Sequence, residues 1–402
     1  MKKISSLILA AYCIGMVIYV AINDDQFQWD FRIYYYAAEA DAIGLNPYDS
    51  ETISTLAKMP IGLNFVYHPI CLFIFKPLLA MDYKTAYDLY LLAKCAVLLA
   101  IMLLWRKEYS VCRDGPMFYL FCVLAFNSAI PLDLMAGNVS IFEQLFIWLS
   151  FSFLLRGKPL LFMISVVVAS MFKISPLILL TLGPIVMGKR GYYFLFGGLI
   201  SFGLILVISY ISDPALFGNF IKNAAALNER GIVDPSVLAL IKDPFILLER
   251  RAGISLPIGI AYALYAGGII AILTVSRKSY LLLKNSHIEE KNMLIIFFVC
   301  VVLALVLPRF KSYSYILLIV PSYYLIKSIT IKNVYPFLFI AMILTTVSRW
   351  NIPGSQIMIR AFWDYYSLLL AFGIWLLYIK YIKILLREND SGPTEGMELR
   401  GC

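Results

Sequence analysis

The chain has 402 residues, of which 61% are hydrophobic and only 15% charged, with a mean hydropathy of +0.81. Soluble domains carry about 25% charged and roughly 45–50% apolar residues, so a soluble globular protein, a disordered chain, collagen and a coiled coil are excluded and a polytopic membrane protein remains. The net charge of +9 reads as Lys and Arg crowding cytoplasmic loops, not as a nucleic-acid surface, because no basic patch is interleaved with surface aromatics.

Met1-Lys2-Lys3 followed by the apolar run 4–22 resembles a signal peptide. The run is longer than an ordinary signal core and lacks an A-x-A site before Asn23, so it reads as a retained first span. Further apolar runs lie at about 63–80, 84–105, 116–132, 138–155, 160–172, 174–187, 192–211, 256–275, 292–307, 313–329, 333–348 and 364–386. They are helices by necessity, since a spanning backbone must satisfy its own hydrogen bonds and no dyad pattern suggests a barrel. Lys2-Lys3, Arg106-Lys107 with Arg113, Arg156 with Lys158, Lys189-Arg190, Arg277-Lys278 with Lys284, Lys327 with Lys332, and Lys380, Lys383 and Arg387 mark the cytoplasmic side. Counting crossings between these anchors makes 63–80, with His68, Pro69, Lys76 and Pro77, a re-entrant or surface-lying element.

The expected fold is therefore an all-α polytopic membrane protein of about 12 spans, one domain over 1–386, with both termini cytoplasmic. A first external loop covers 23–62, another covers 212–255, and 387–402 is a polar, disordered cytoplasmic tail. Within the first loop, Tyr34, Tyr35, Tyr36, Ala37, Ala38 and Ile43 alternate with Asp30, Arg32, Glu39 and Asp41, a pattern of amphipathic helices lying on the membrane. Asn46-Pro47-Tyr48-Asp49 is a turn. No internal repeat is visible, which disfavours a transporter. The 7 Cys lie mostly in apolar runs without a C-x-x-C pair and read as small core residues.

Few residues are left for chemistry. Asp30, in an aromatic interfacial setting, reads either as a general base whose pKa partial desolvation raises, or as a solvated or helix-capping carboxylate. Asp24-Asp25 is a weak metal pair. Lys173, between two short apolar runs and just before Pro176, costs about 2.5–3.5 kcal/mol if held at mid-bilayer; it is either functional, facing an aqueous cavity, or snorkels to the interface. Arg309 and Lys311 sit in an external turn against the charge bias, which suits an anionic partner such as a lipid phosphate, or lipid headgroups in general. Asn138 either caps the helix that follows or bonds a polar ligand. His68 lies beside Tyr67 on the external side, whereas His287 lies in a polar loop. Loop charge alone thus brings Asp30, Asp133, Asn138, Lys173, Arg309 and Lys311 to one external face, as a site for an anionic lipid-linked substrate with a base. No Walker A loop, dinucleotide fingerprint or H-E-x-x-H motif is present, so the driving force should come from an activated lipid.

The arrangement resembles the GT-C superfamily of integral-membrane glycosyltransferases, and within it glycosyltransferase family 87, the polyprenyl-phosphate-mannose-dependent type. Asp30-Phe31-Arg32-Ile33-Tyr34-Tyr35-Tyr36-Ala37-Ala38 and Gly44-Leu45-Asn46-Pro47-Tyr48-Asp49 are similar to its D-F-x-x-Y-Y-x-A-A and G-x-x-P-Y-D patterns. Phe65-Val66-Tyr67-His68-Pro69 looks like its Y-P-P element with His68 for the first proline. Gly137-Asn138 looks like its G-Q, and Phe172-Lys173-Ile174-Ser175-Pro176 like its L-K-P-x-P. Pro308-Arg309-Phe310-Lys311-Ser312-Tyr313 departs from it, lacking the histidine that mannosyltransferases tend to carry there. The resemblance implies an inverting glycosyltransferase on the external face of a bacterial inner membrane. It would move mannose or arabinofuranose from polyprenyl phosphate to a lipid, glycan or pilin-like protein acceptor. Asp30 would be the base, and Lys173, Arg309 and Lys311 would hold the donor phosphate. Tyr34, Tyr35, His68, Asn138 and Tyr313 would contact sugar or acceptor, with neither metal nor other cofactor required. A lipid-linked glycan polymerase or ligase, which would exploit Arg230, Arg250 and Arg251 of the 212–255 loop, and a transporter or flippase are the competing readings.

Overall fold

Apolar segments without strand alternation fold as helices, and every regular element among the described residues is helical. The computed structural model describes residues 2–24, 26–109, 116–226, 231, 233–329 and 364–390. The expected span 333–348, the loop 349–363 and the tail beyond 390 lie outside these residues, as do Asp25, Arg113, Arg230 and Lys332. The chain packs as two compact units, Met1–Val123 with Ser128–Asn228, and Leu124–Asn127 with Glu229–Cys402.

The first unit begins with α1 (Lys2–Ile22), followed by α2 (Trp29–Ala42), α3 (Ser50–Ala57), α4 (Ile70–Phe75) and α5 (Tyr83–Glu108). Next come α6 (Pro116–Ala136), α7 (Ser140–Leu155) and α8 (Pro159–Phe172). The unit closes with α9 (Leu182–Met187), α10 (Gly191–Ser212) and α11 (Pro214–Ala225). Side chains stop the helices where the sequence supplies them. Asp49 caps α3 through the Glu51 and Thr52 N–H groups, Asp82 caps α5 through Thr85, and Asp213 with Pro214 opens α11. In α6 the residues Phe126, Asn127 and Ser128 have positive φ just ahead of Pro131, whose missing N–H removes a helical bond there.

Two helices occupy the first loop, and α2 is packed into its unit. Of its 14 residues eight are buried, Arg32 among them, because Phe31 and the tyrosines pack into an aromatic cluster with Phe75, Tyr83, Tyr87 and Tyr90. Residues 70–80 form α4 and a 3-10 segment, Lys76–Ala80. Together these are about 19 Å long, short of a bilayer core of about 30 Å.

The second unit contains α12 (Val237–Ala252), α13 (Ile258–Lys284), α14 (Lys291–Val306), α15 (Ile319–Ser328) and α16 (Tyr366–Asp390). Ser236 caps α12. α14 is its core, with eleven of 16 residues buried. Around it the Tyr378 hydroxyl donates to the Pro321 carbonyl (2.7 Å) and the Trp375 indole to Ser276 Oγ (2.9 Å).

Among the described residues, 5 stretches are long and apolar enough to cross a membrane: Tyr83–Glu108, Met117–Ala136, Ser175–Ser212, Ile258–Lys284 and Tyr366–Arg387. Shorter apolar helices accompany them, among them Ala10–Ile22, Ser140–Leu155, Pro159–Phe172 and Lys291–Val306. α7, α8 and α14 have 16, 14 and 16 residues, lengths of about 21–24 Å. The stretch Ser175–Ser212 doubles back at Gly188 (φ 65°), so that Gly198 packs on Leu180 and Gly191 on Gly183. In Ser175–Ser212 and Ile258–Lys284 only 11% of the most apolar window is buried inside the protein. Apolar helices facing outward in this way require lipid, not water, as their solvent; the chain is a membrane protein.

Candidate functional site

The first turn of α2 is pinned from two sides. Gln28 adopts a left-handed conformation (φ 49°), its N–H donates to the Met135 carbonyl (2.6 Å), and its side-chain amide donates to the Tyr87 carbonyl (3.3 Å). Phe31 is fully buried and stacks on Tyr90, with ring centroids 4.5 Å apart and an interplanar angle of 17°. Asp30, between these anchors, is half-buried in the first helical turn. The positive end of the helix there favours its carboxylate.

Facing it is the turn that joins α6 to α7. Gly137 has φ 69°, and a Cβ at this position would lie 2.8 Å from Gln28 Cβ and 3.1 Å from Phe31 Cβ. Only glycine lets the turn approach α2 this closely. Asn138 follows, fully buried, and its Nδ2 donates to Asp30 Oδ2 (2.6 Å), with the Tyr67 hydroxyl at 2.9 Å and the Tyr34 hydroxyl at 3.2 Å. Its Oδ1 accepts from the Ser140 N–H (3.0 Å) and hydroxyl (2.7 Å). Asn138 therefore bonds the start of α7 with its oxygen, as the capping reading expects, and holds the Asp30 carboxylate with its nitrogen.

Lys94, a fully buried residue of α5, organises this turn. Its ammonium donates to Asp133 Oδ1 (2.5 Å), the Asp133 carbonyl (2.8 Å) and the Asn138 carbonyl (2.5 Å), which uses all three of its hydrogens. Asp133 is equally buried. Asp133 was expected on the external face; here it is the counter-ion of Lys94.

Lys173 ends α8 in an extended conformation (φ −148°), and its side chain returns to the start of α7. It forms an ion pair with Glu143 (3.0 Å) and donates a hydrogen bond to Ser140 Oγ. Lys173 thus stands one hydroxyl away from Asn138, with a carboxylate as its companion.

The Tyr34 hydroxyl donates to that of Tyr67 (2.9 Å). Tyr67 is held by its backbone: its carbonyl accepts from the Tyr48 hydroxyl (2.8 Å), while Asn223 of α11 donates to the Tyr48 and Phe65 carbonyls (2.6 and 3.3 Å). The Pro47-Tyr48-Asp49 motif accordingly has two jobs, a tether for Tyr67 and a cap for α3. Burial pushes the Tyr48 hydroxyl far above the usual tyrosine range and keeps it a donor.

His68 is buried against Phe217 and Phe220. Its Nδ1 accepts from the Ile70 N–H (3.2 Å), and burial pushes its pKa down to about 4. It is a neutral ring with its hydrogen on Nε2. Tyr35 is not brought to this group: its hydroxyl donates to the Met81 carbonyl (2.9 Å) and its ring packs on Tyr36 and Tyr83. Of the acidic pair, Asp24 uses its carbonyl to accept from Arg32 Nη2 (2.7 Å).

Arg309, Lys311 and Tyr313 belong to the second unit. Their turn is fastened by Asp234 and its neighbours. The Phe310 N–H donates to Asp234 Oδ1 (2.7 Å), the Ser236 hydroxyl to the Pro308 carbonyl (2.9 Å) and the Tyr315 hydroxyl to the Pro235 carbonyl (2.7 Å). Lys311 Nζ lies 5.7 Å from the Tyr313 ring centroid, a cation–π contact. Arg309 and Lys311 are half-buried and Tyr313 is buried.

The structure therefore joins Asp30, Tyr34, Asn138 and Lys173 into one hydrogen-bonded group and adds Tyr67, Ser140, Glu143 and Lys94, which the sequence reading did not assign to the site. Lys94 and Glu143 carried a signal: each is an isolated charge inside an apolar run, the same feature that singled out Lys173. Ser140 carried none.

The family model described as Glycosyltransferase family 87 matches residues 65–308, over half of the chain. The matched segment contains Tyr67, His68, Asn138 and Lys173; Asp30, Tyr34 and Tyr35 precede it, and Arg309, Lys311 and Tyr313 follow it. No curated protein matches the chain.

Proposed function

The chain belongs to glycosyltransferase family 87 and is a membrane glycosyltransferase; from that premise we propose that it is an inverting enzyme with a polyprenyl-phosphate sugar as donor and Asp30 as its general base. The observation that carries the reading is the 2.6 Å bond from Asn138 Nδ2 to Asp30 Oδ2. It orients a carboxylate at a helix N-terminus, beside two tyrosine hydroxyls and one serine away from a lysine.

In the reaction, Asp30 takes the proton of an acceptor hydroxyl as its oxygen attacks the anomeric carbon. The bond from that carbon to the phosphate oxygen breaks on the opposite face, and its electron pair leaves with polyprenyl phosphate. Base assistance of this kind contributes about 10²–10⁴-fold. Lys173 is the cation for the departing phosphate, sharing itself between that anion and Glu143. Tyr34, Tyr67 and the Nε2–H of His68 supply hydroxyl and N–H donors for sugar or acceptor. In the second unit Arg309 and Lys311, with Tyr313 beneath Lys311, are candidate anion ligands on their own turn. Mannose and arabinofuranose are the donor sugars proposed, and a lipid, glycan or protein the acceptor. The active site faces the exterior of a bacterial inner membrane, on a fold of about twelve spans with both ends inside.

The test uses the full chain in nanodiscs. Radiolabelled polyprenyl-phosphate mannose, polyprenyl-phosphate arabinofuranose and a polyprenyl-diphosphate sugar are each offered with membrane extract as acceptor, with and without chelator. Transfer from a monophosphate donor, unchanged by chelator, is expected. Transfer from the diphosphate donor alone would replace this reading with that of a lipid-linked glycan polymerase or ligase.

A further inference from the structure

One continuous chain of hydrogen bonds runs from Lys173 to Asp30. Lys173 donates to Ser140 Oγ, the Ser140 hydroxyl donates to Asn138 Oδ1 (2.7 Å), and Asn138 Nδ2 donates to Asp30 Oδ2 (2.6 Å). Its direction is fixed by its ends. An ammonium can only donate and a carboxylate can only accept. At the other link the Ser140 backbone N–H, which can only donate, already bonds Asn138 Oδ1 (3.0 Å), so the serine hydroxyl meets an acceptor there and gives it its single hydrogen. The amide then has one orientation, oxygen to Ser140 and nitrogen to Asp30. The three bonds cross three elements: the end of α8, the start of α7 and the first turn of α2. Ser140 is fully buried and Glu143 nearly so, so little water competes for these groups.

We propose that Ser140 is a positioning residue of this site, a relay by which the charge around Lys173 sets how firmly Asn138 holds the Asp30 carboxylate. The proposal rests on the reading of Asp30 as base and of Lys173 as phosphate ligand. Donors in series polarise one another. The Lys173 charge makes the serine hydroxyl a stronger donor, which draws electron density through the Asn138 amide and strengthens its N–H toward Asp30. A donor phosphate arriving at Lys173 adds a negative charge beside Glu143 and relaxes that pull. Asp30 then holds a proton more strongly, in the state where it has an acceptor proton to take. Once the phosphate has left, the pull returns and Asp30 releases its proton.

Other groups also act on Asp30. Lys94 lies on the α5 side and Asp133 on the α6 side, Tyr90 is stacked beneath Phe31, and Tyr34 and Tyr67 surround Asn138. None of them is a link in the chain from Lys173, so removing the serine hydroxyl isolates the relay from their fields.

The test reads the Asp30 carboxyl directly, without substrate. Infrared difference spectra of the full chain in nanodiscs are recorded against pH, and the Asp30 band is identified by its loss in Asp30→Asn. Ser140→Ala is expected to raise the titration midpoint by roughly 0.2–0.7 pH unit, a cooperative fraction of one charge-assisted hydrogen bond. Ser140→Thr, which keeps the hydroxyl, is expected to hold the wild-type midpoint. Lys173→Met raises it as well, and the double variant Ser140→Ala/Lys173→Met falls short of the sum of the two single shifts. An unmoved midpoint in Ser140→Ala, or full additivity of the two shifts, would overturn the relay whatever the enzyme's activity. Retained turnover in Asp30→Asn, by contrast, would end the base reading and leave the titration result standing.

Discussion

Gly137→Ala is the substitution that most directly probes how the site is assembled. The new side chain meets two obstacles. At φ 69° an L-residue is strained by about 1–2 kcal/mol. Its Cβ would also stand 2.8 Å from Gln28 Cβ and 2.9 Å from Gln28 Cα, against an ordinary carbon contact of about 3.5–4.0 Å. One of these neighbours is backbone, so no rotamer change relieves the clash, and the first turn of α2 must retreat by about 1 Å. Overpacking of this kind costs about 1–3 kcal/mol, which brings the total to roughly 2–5 kcal/mol. The retreat also stretches the 2.6 Å bonds from Gln28 N to Met135 O and from Asn138 to Asp30. A displacement of about 1 Å at a reacting group costs on the order of 10²-fold in rate. Melting in detergent and single-turnover transfer are measured together. Gly157→Ala serves as control: it has a similar φ of 67° but nothing within 4 Å of the new Cβ, so it bears only the conformational cost and keeps its activity. If Gly137→Ala matches Gly157→Ala in both measurements, the close approach does not hold the site together.

Removing one partner of the buried Lys94–Asp133 pair strands a charge. Lys94→Met is therefore expected to lose about 3–5 kcal/mol by melting, and Lys94→Met/Asp133→Leu to recover most of it; an unaltered melt in the single variant would refute this. Glu143→Gln removes the anion that competes for Lys173, and inorganic phosphate or polyprenyl phosphate is expected to bind about fivefold more tightly, a gain of about 1 kcal/mol. Weaker binding would mean that Glu143 supports the cation and does not compete for it. Burial holds His68 at about 4 against its ordinary 6.5. The unfolded chain thus binds the extra proton between these values, and the stability associated with the neutral ring is complete above pH 6.5 and lost as pH falls toward 4. The loss is at most about 3 kcal/mol, and His68→Asn, which cannot titrate, is expected to have a flatter melting profile over that window.

Composition and periodicity were enough to read an all-helical membrane protein, and single polar residues in apolar or aromatic surroundings singled out Asp30, Asn138 and Lys173, which the fold links by hydrogen bonds. The context of those residues was less legible. α2 has the alternation of an interfacial helix, and its burial was not legible, because Tyr35 and Tyr36 find Tyr83 on α5 and Tyr34 finds Phe65, Tyr67 and Phe75, all distant in sequence. Thirteen apolar runs, one of them set aside as re-entrant, suggested about twelve crossings; hydropathy alone does not fix how shorter apolar helices such as the 14-residue α8 and the 16-residue α14 sit in a bilayer. Lys94 and Glu143 were visible as charges in apolar runs; what hid them was that each has a partner supplied by another helix. Ser140 is one serine among many until the fold sets it between Lys173 and Asn138. Tyr35 illustrates the converse: it lies within the segment similar to D-F-x-x-Y-Y-x-A-A, yet the helical turn directs its hydroxyl to the Met81 carbonyl.

The central claim is that Asp30 removes the acceptor proton. The measurement that tests it most directly is single-turnover sugar transfer from saturating polyprenyl-phosphate donor by Asp30→Asn, with donor binding determined separately on the same nanodisc preparation. The account predicts donor binding within about twofold of wild type and transfer reduced by about 10²–10⁴-fold. Transfer at the wild-type rate by a folded Asp30→Asn enzyme would contradict it.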